Sequence, residues 1–498
     1  MRLLLTWLLL ALPVFADQFD GIRDFIRSRM AAEAAPSVAV AVARDGRILW
    51  EEGFGWADRE KRVAANEHTM YSLASITKPF TATGLMTLVE QKRADGTSKI
   101  DLDRPINQYL GNAKLRARVG NADDATVRRV AMHTSGLPLH YQFFYEDEPY
   151  RLPSMDETIL RYGNLVTIPG EKYEYSNLGY GILGYVIARV SGETYEDYMR
   201  KAVFLRLGLT HTSVGIGKGL EKFAAVRYGS SGSDGPPIPF FDFNHRGAGA
   251  IYSSAHDLIR FAMFHLGARL PGQARILSDA SIAEMQKFAP TRTQTNGYGI
   301  GWFVNRNVNG YDVVTHTGGM NGVATFLHMI PSEKLAIVVL CNANVDLPGE
   351  VAEKLLAAML PNWKARPSQP PRPPAPLPPA LKGTWTGALS TYKADIPLVL
   401  RVLDSGEVHA QLGRQIETLL TDVKWEPDPF SGQKPEDVTL SGRMPGDIGI
   451  EEASRRPYYL QFNLKLRGNL LNGSASAISQ PGRRDGSGLT QWVELKKD

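Results

Sequence analysis

The sequence predicts an α+β fold followed by an all-β domain, and three observations carry that reading. Strand-like runs lie at both ends of the first large segment, around a helix-rich middle. A short stretch from Pro367 to Pro379 holds eight prolines, which reads as an extended polyproline spacer. Beyond it come short alternating runs punctuated by turn residues, the pattern of a barrel or sandwich. The chain therefore divides into a leader at 1–16, a main domain at 17–365, a proline-rich linker at 366–380 and a β domain at 381–498.

The elements follow in order. Arg2, the apolar run Leu3 to Leu12 and small residues ending at Ala16 have the build of a cleaved secretory signal peptide. The run is too short for a stable membrane span, so the mature protein is expected in a periplasmic or secreted location. Phe19 to Ala32 has apolar residues at helical spacing. Ser37 to Ala43 and Arg47 to Phe54 flank Asp45-Gly46 and predict a hairpin. Ile76 to Gln91 reads as a helix, with Pro79 tolerated only in its first turn. Tyr175-Ser176-Asn177 follows a Pro169-Gly170 turn and opens a second helix. Tyr311 to Thr317, Val323 to Ile330 and Leu335 to Cys341 are strand-like, and Glu350 to Leu360 is helical. Strands from both ends of the domain would then share one antiparallel sheet, with the middle packed beside it. In the last domain the strand-like runs are Ile396–Val402, Glu407–Leu412, Asp437–Ser441, Tyr458–Leu466 and Trp492–Leu495.

Composition narrows the function. Hydrophobic residues are 43% and charged residues 22% of 498, enough apolar content for large cores. The net charge of +4 is spread thinly, with no dense basic run, so nucleic acid is not an expected partner. One cysteine, Cys341, excludes a disulfide framework. There is no Gly-x-Ser-x-Gly elbow, no His-Glu-x-x-His and no phosphate loop. Neither a cofactor nor a metal is expected.

Ser75-Ile76-Thr77-Lys78 is the first chemical candidate. A Ser and a Lys three apart share one helix face, and a buried Lys loses its charge readily enough to accept the hydroxyl proton. The same spacing recurs at Ser390/Lys393 and Ser431/Lys434, but only Ser75 opens a helix. There its backbone N–H is free to face a developing oxyanion. Tyr175 can shuttle protons and Asn177 can orient a carbonyl. Tyr162-Gly163-Asn164 repeats that spacing, but Tyr162 ends a helical pattern and reads as packing. His316-Thr317-Gly318-Gly319 ends a strand-like run. His316 can supply a positive or hydrogen-bonding group facing the nucleophile, and Gly319 leaves its N–H accessible.

In this order and rough spacing, Ser75-Ile76-Thr77-Lys78, Tyr175-Ser176-Asn177 and His316-Thr317-Gly318 resemble the penicillin-recognising serine hydrolases. The resemblance is to the class C β-lactamase-related branch, peptidase family S12, with its D-Ala-D-Ala carboxypeptidases, D-aminopeptidases and esterases. His133-Thr134-Ser135-Gly136-Leu137-Pro138, Gly247-Ala248-Gly249, Ser253 to Leu258 and Tyr298-Gly299-Ile300-Gly301-Trp302 add to it. It implies a β-lactamase/transpeptidase-like fold. Ser75 would form an acyl-enzyme, and Lys78 and Tyr175 would share the proton traffic, with the acylation base left open. Asn177 would hold the substrate amide, and the N–H groups of Ser75 and Gly319 would form the oxyanion hole. His316 and Thr317 would meet the polar end of the substrate or assist the relay. Class C enzymes usually carry Lys where this chain has His316, and the D-peptidases and many esterases carry His. Small esters or D-amino-acid peptides, including those of the cell wall, are thus expected ahead of β-lactams. The alternatives are a β-lactamase or a non-catalytic penicillin-binding sensor. Gly383-Thr384-Trp385-Thr386-Gly387 resembles the opening strand of lipocalin-like barrels.

Overall fold

The computed structural model describes residues 18–229, 235–293, 295–364, 377–427, 438–482, 484 and 486–498. The leader and most of the proline-rich linker lie outside the described residues.

The strand Ser37–Arg44 shows how its sequence builds the centre of the main domain. It alternates Val and Ala and is almost wholly buried, so its two faces need different partners. Val38, Val40 and Val42 join Ile337, Val339 and Cys341 under two helices, Asp20–Glu33 and Leu347–Met359. Phe19 caps that layer by stacking on Trp50 at 4.8 Å. On the other face the small side chains of Ala39, Ala41 and Ala43 leave room for the helix Ala255–His265 to lie close.

Among the described residues nine strands form this antiparallel sheet. From one edge they run Ala289–Thr293, Asn296–Tyr298, Phe303–Val308, Tyr311–Met320, Val323–Ile330, Leu335–Cys341, Ser37–Arg44, Arg47–Asp58 and Val63–Ala64. The two ends of the domain meet where Val38 pairs with Cys341 and Val42 with Ile337. Ser37 N–H closes the joint by donating to Asn342 Oδ1 at 2.9 Å. The intervening chain forms the helical region on the alanine face, as the α+β expectation required. No helix among the described residues is long and apolar enough to cross a membrane.

The C-terminal domain is a nearly closed antiparallel β-barrel, consistent with the lipocalin-like form. Its strand order is Thr418–Leu419, Val408–Leu412, Asp395–Val402, Gly383–Ser390, Ser487–Lys497, Leu470–Ser479, Tyr458–Arg467, Val438–Met444 and Thr421–Pro427. The two edge strands are consecutive in sequence, which nearly shuts the cylinder. Trp385, fully buried, plugs it and donates its indole N–H to the Leu381 carbonyl at 2.8 Å. Trp385→Ala should cost about 3–5 kcal/mol, read as an earlier first transition in urea unfolding.

The barrel's sheet also takes in a strand of the main domain. Tyr141 and Gln142, in the strand Tyr141–Tyr145, pair with Gly488 and Ser487.

Candidate active site

Ser75 lies in a 3-10 turn, Ala74–Ile76, that runs straight into the helix Thr77–Glu90. Ala74 just before it is held at φ +46°, a left-handed conformation that an L-residue with a Cβ resists. The surroundings hold the turn in place. Thr325 Oγ1 donates to the Leu73 carbonyl at 3.1 Å, and Ile251 N–H donates to Thr77 Oγ1 at 3.0 Å. Ser75 itself stays half-buried, on the edge of a cleft.

Lys78, one turn on, has no exposed surface. Its Nζ is 3.0 Å from Ser75 Oγ, 2.9 Å from Asn177 Oδ1 and 3.0 Å from the Ala248 carbonyl. Burial drives its pKa well below the ordinary lysine value. The geometry suits the neutral amine. Two oxygens that can only accept take its two N–H groups, and the lone pair is left for the Ser75 hydroxyl.

Tyr175 meets Ser75 from the other side through a hydrogen bond, while desolvation pushes its phenol pKa up. The Lys78 amine sits 4.7 Å from the centre of its ring. Asn177 is the first residue of the helix Asn177–Ser191, whose cap, Ser176, accepts from Gly179 N–H at 3.0 Å. His133 fixes this cap. Its Nδ1 accepts the Ser176 N–H at 3.1 Å, and its ring packs 4.4 Å from Tyr175 and 4.5 Å from Tyr298. Burial keeps it neutral by lowering its pKa well below normal.

His316 departs from one of the two expected roles. It is buried, with Nδ1 against the Thr317 carbonyl at 2.8 Å and Nε2 against the Tyr298 hydroxyl at 3.0 Å. The carbonyl can only accept, so Nδ1 carries the proton and Nε2 accepts from Tyr298. Burial lowers its pKa to about 3. His316 is a neutral hydrogen-bonding group and not a cation. The strand does not end at His316 either, but continues through Met320.

Alternation along that strand separates its glycines. A Cβ on Gly318 would fall 2.1 Å from the Leu73 carbonyl and 3.1 Å from Ala74 Cβ, so a glycine lets the strand pack against the serine turn. Gly319 faces open space, with nothing within 4 Å of such a Cβ, and Thr317 is exposed beside it. Ser75, Asn177, Ala248 and Gly319 border a cleft of about 300 Å³.

Ser75, Lys78, Tyr175 and Asn177 thus come together, with Gly318 and Gly319 on the facing strand and His316 behind Tyr298. Tyr162 is buried in the helix Met155–Tyr162, against Tyr392, as packing. Ser390 lies at the end of a barrel strand, and Ser431/Lys434 falls outside the described residues. Sequence reasoning missed the cleft residues Tyr141, Phe143 and Met320 and the Ala248 carbonyl. It quoted His133 and Tyr298 only as supporting strings. Among the described residues no cluster of His, Cys, Asp and Glu could hold a metal ion.

Comparison with known proteins gives the chain its relatives. The chain is 26% identical to protein flp of Staphylococcus aureus (strain MRSA252) over 343 residues, 68% of this chain and 66% of that protein, just under two thirds. It is 27% identical to penicillin-binding protein 4* of Bacillus subtilis (strain 168) over 341 residues, 63% of this chain and 69% of that one. The fold of SurE, solved with D-Leu, matches with a TM-score of 0.61 at 20% identity. That match covers 97% of this chain and 99% of that one, barrel included. The beta-lactamase family model matches residues 22–359, most of the chain, and this protein belongs to that family.

Proposed function

We propose that this protein is an exported serine hydrolase that forms an acyl-enzyme on Ser75 and cleaves small esters or D-amino-acid peptides in preference to β-lactams. The observation that carries this reading is the buried Lys78 amine, 3.0 Å from Ser75 Oγ with no exposed surface. Lys78 takes the Ser75 proton as Oγ bonds to the carbonyl carbon. The oxyanion is met by the N–H groups of Ser75 and Gly319. As the leaving amine or alcohol departs it receives that proton, relayed through Tyr175. A water then gives a proton to the same pair as its oxygen bonds to the ester carbon, and that proton passes to Ser75 Oγ as the C–Oγ bond breaks. Tyr175, its pKa raised, keeps its proton, and Lys78, its pKa lowered, is the acylation base. Asn177 orients the substrate.

Two considerations favour esters and peptides. A neutral His316 supplies no positive charge to a substrate carboxylate, which β-lactams carry and which simple esters and D-amino-acid amides lack. A fold neighbour has been solved with a D-amino acid, D-Leu. Export rests on the leader at 1–16. The deciding experiment compares turnover of short-chain p-nitrophenyl esters, D-amino-acid amides, D-Ala-D-Ala peptides and a chromogenic cephalosporin. Turnover of the cephalosporin alone would make the protein a β-lactamase, and turnover of none a binding protein.

The pH profile offers a second check. A lysine with a depressed pKa is active above that pKa and lost below it, so kcat/KM should fall on the acid side as Lys78 protonates. His316 is already neutral down to about pH 3, so His316→Gln should leave this acid limb in place. Loss of the limb in that variant would assign the titration to His316.

A further inference from the structure

Part of the cleft lining comes from the strand Tyr141–Tyr145, which pairs with the barrel at Tyr141 and Gln142 and with Phe241–Phe243 beyond them. Gly488 of the barrel pairs with Tyr141. A Cβ on Gly488 would fall 2.5 Å from Tyr141 Cε1, so the ring rests on bare backbone. Thr490 Oγ1 bonds to the Leu139 carbonyl just before the strand. Just after it, Asp147 and Glu148 pair with Arg484 at 2.6 and 3.0 Å, and Glu148 also pairs with Arg456. Phe143 meets Tyr141 at 5.8 Å and Phe241 at 4.9 Å between ring centres. Asn321, beside Met320, donates to the Gly482 carbonyl of the barrel at 3.5 Å. The barrel therefore touches the lining of the opening at Tyr141 and next to Met320.

The chemistry of this opening is distinctive. Tyr141, Phe143 and Met320 line it together with Ala74, Ala248 and Gly249, and Ser75 and Asn177 supply the polar groups. None of these described lining residues carries a charge. A bound carboxylate or ammonium would lose its water there without an opposite charge to replace it. An apolar group would gain contact with aromatic and thioether surface.

We propose that Tyr141, Phe143 and Met320 form a subsite for an uncharged, apolar acyl group, and that the barrel sets its shape through Gly488. The proposal rests on acyl-enzyme formation at Ser75. It names the acyl side because that group stays tethered in the cleft until water releases it, whereas the leaving group departs. Each methylene fully buried there is worth about a fourfold gain.

The test uses the full chain and four p-nitrophenyl esters: acetate, butyrate, hexanoate and hemisuccinate. Labelling of Ser75 by a small fluorophosphonate is measured in parallel. In wild type, kcat/KM should rise roughly 50-fold from acetate to hexanoate, about three of the four added methylenes being buried, and hemisuccinate should be slower than butyrate. The hexanoate-to-acetate ratio should fall at least tenfold in Phe143→Ala. It should also fall in Gly488→Ala, whose new methyl displaces the Tyr141 ring. Labelling of Ser75 certifies the fold of each variant, and Phe143→Leu replaces any variant that fails it. Labelled Ser75 with unchanged ratios, or hemisuccinate faster than butyrate, would overturn the subsite and leave the hydrolase reading intact. Wild type unlabelled at Ser75 would overturn both.

Discussion

Ser75→Ala should abolish labelling by a fluorescent phosphonate or penicillin and lower kcat by roughly 10⁴- to 10⁶-fold, as losses of a nucleophile do elsewhere. The size of the loss follows from the geometry. Lys78 has two acceptors besides Ser75, and both hold it in place. The base therefore survives the substitution with nothing to activate except water. Ala74 remains left-handed and Thr325 still holds the Leu73 carbonyl, so the variant should fold. Labelling of Ser75→Ala at the wild-type rate would place the nucleophile elsewhere.

Lys78→Ala should lower kcat by about 10²- to 10⁴-fold, the range for a general base. The fall should exceed that of Asn177→Ala, which loses an orienting contact only. Lys78→Arg should fare no better. A guanidinium keeps its proton under all ordinary conditions, and the cavity offers it no carboxylate. Circular dichroism of the Lys78 variants should match wild type, and near-normal turnover in Lys78→Ala would transfer the base role to Tyr175.

Local features were the legible ones. The serine helix could be placed because Pro79 is tolerated only in a first helical turn, and the helix start at Tyr175-Ser176-Asn177 because a turn precedes it. The hairpin around Asp45-Gly46 and the three closing strands were readable because short apolar, β-prone runs bounded by turn residues are a short-range signal. What escaped depends on distant partners. The strand Tyr141–Tyr145 pairs with Gly488 and with Phe241–Phe243, both far along the chain, and nothing near it in sequence marks it as a cleft wall. The barrel strand Leu470–Ser479 is built largely of small and polar residues and lacks the apolar alternation that marks its neighbours. The state of His316 is set by burial beneath Tyr298, and burial is not encoded in the tetrapeptide around it. The charge that the residue type allows is removed by its packing.

The joint between Ser37–Arg44 and Leu335–Cys341 also sets the order of events during folding. Ser37 and Asn342, which bond across it, are 305 positions apart. As the chain is synthesised or threaded from one end, an apolar, β-prone strand must wait for a partner that arrives almost a whole domain later. Contacts this distant are slow to form, and unpaired strands of this kind invite self-association in the interval. A chain truncated before Leu335 should therefore accumulate as aggregate, because the buried strand Ser37–Arg44 has lost the neighbour that covers one of its edges.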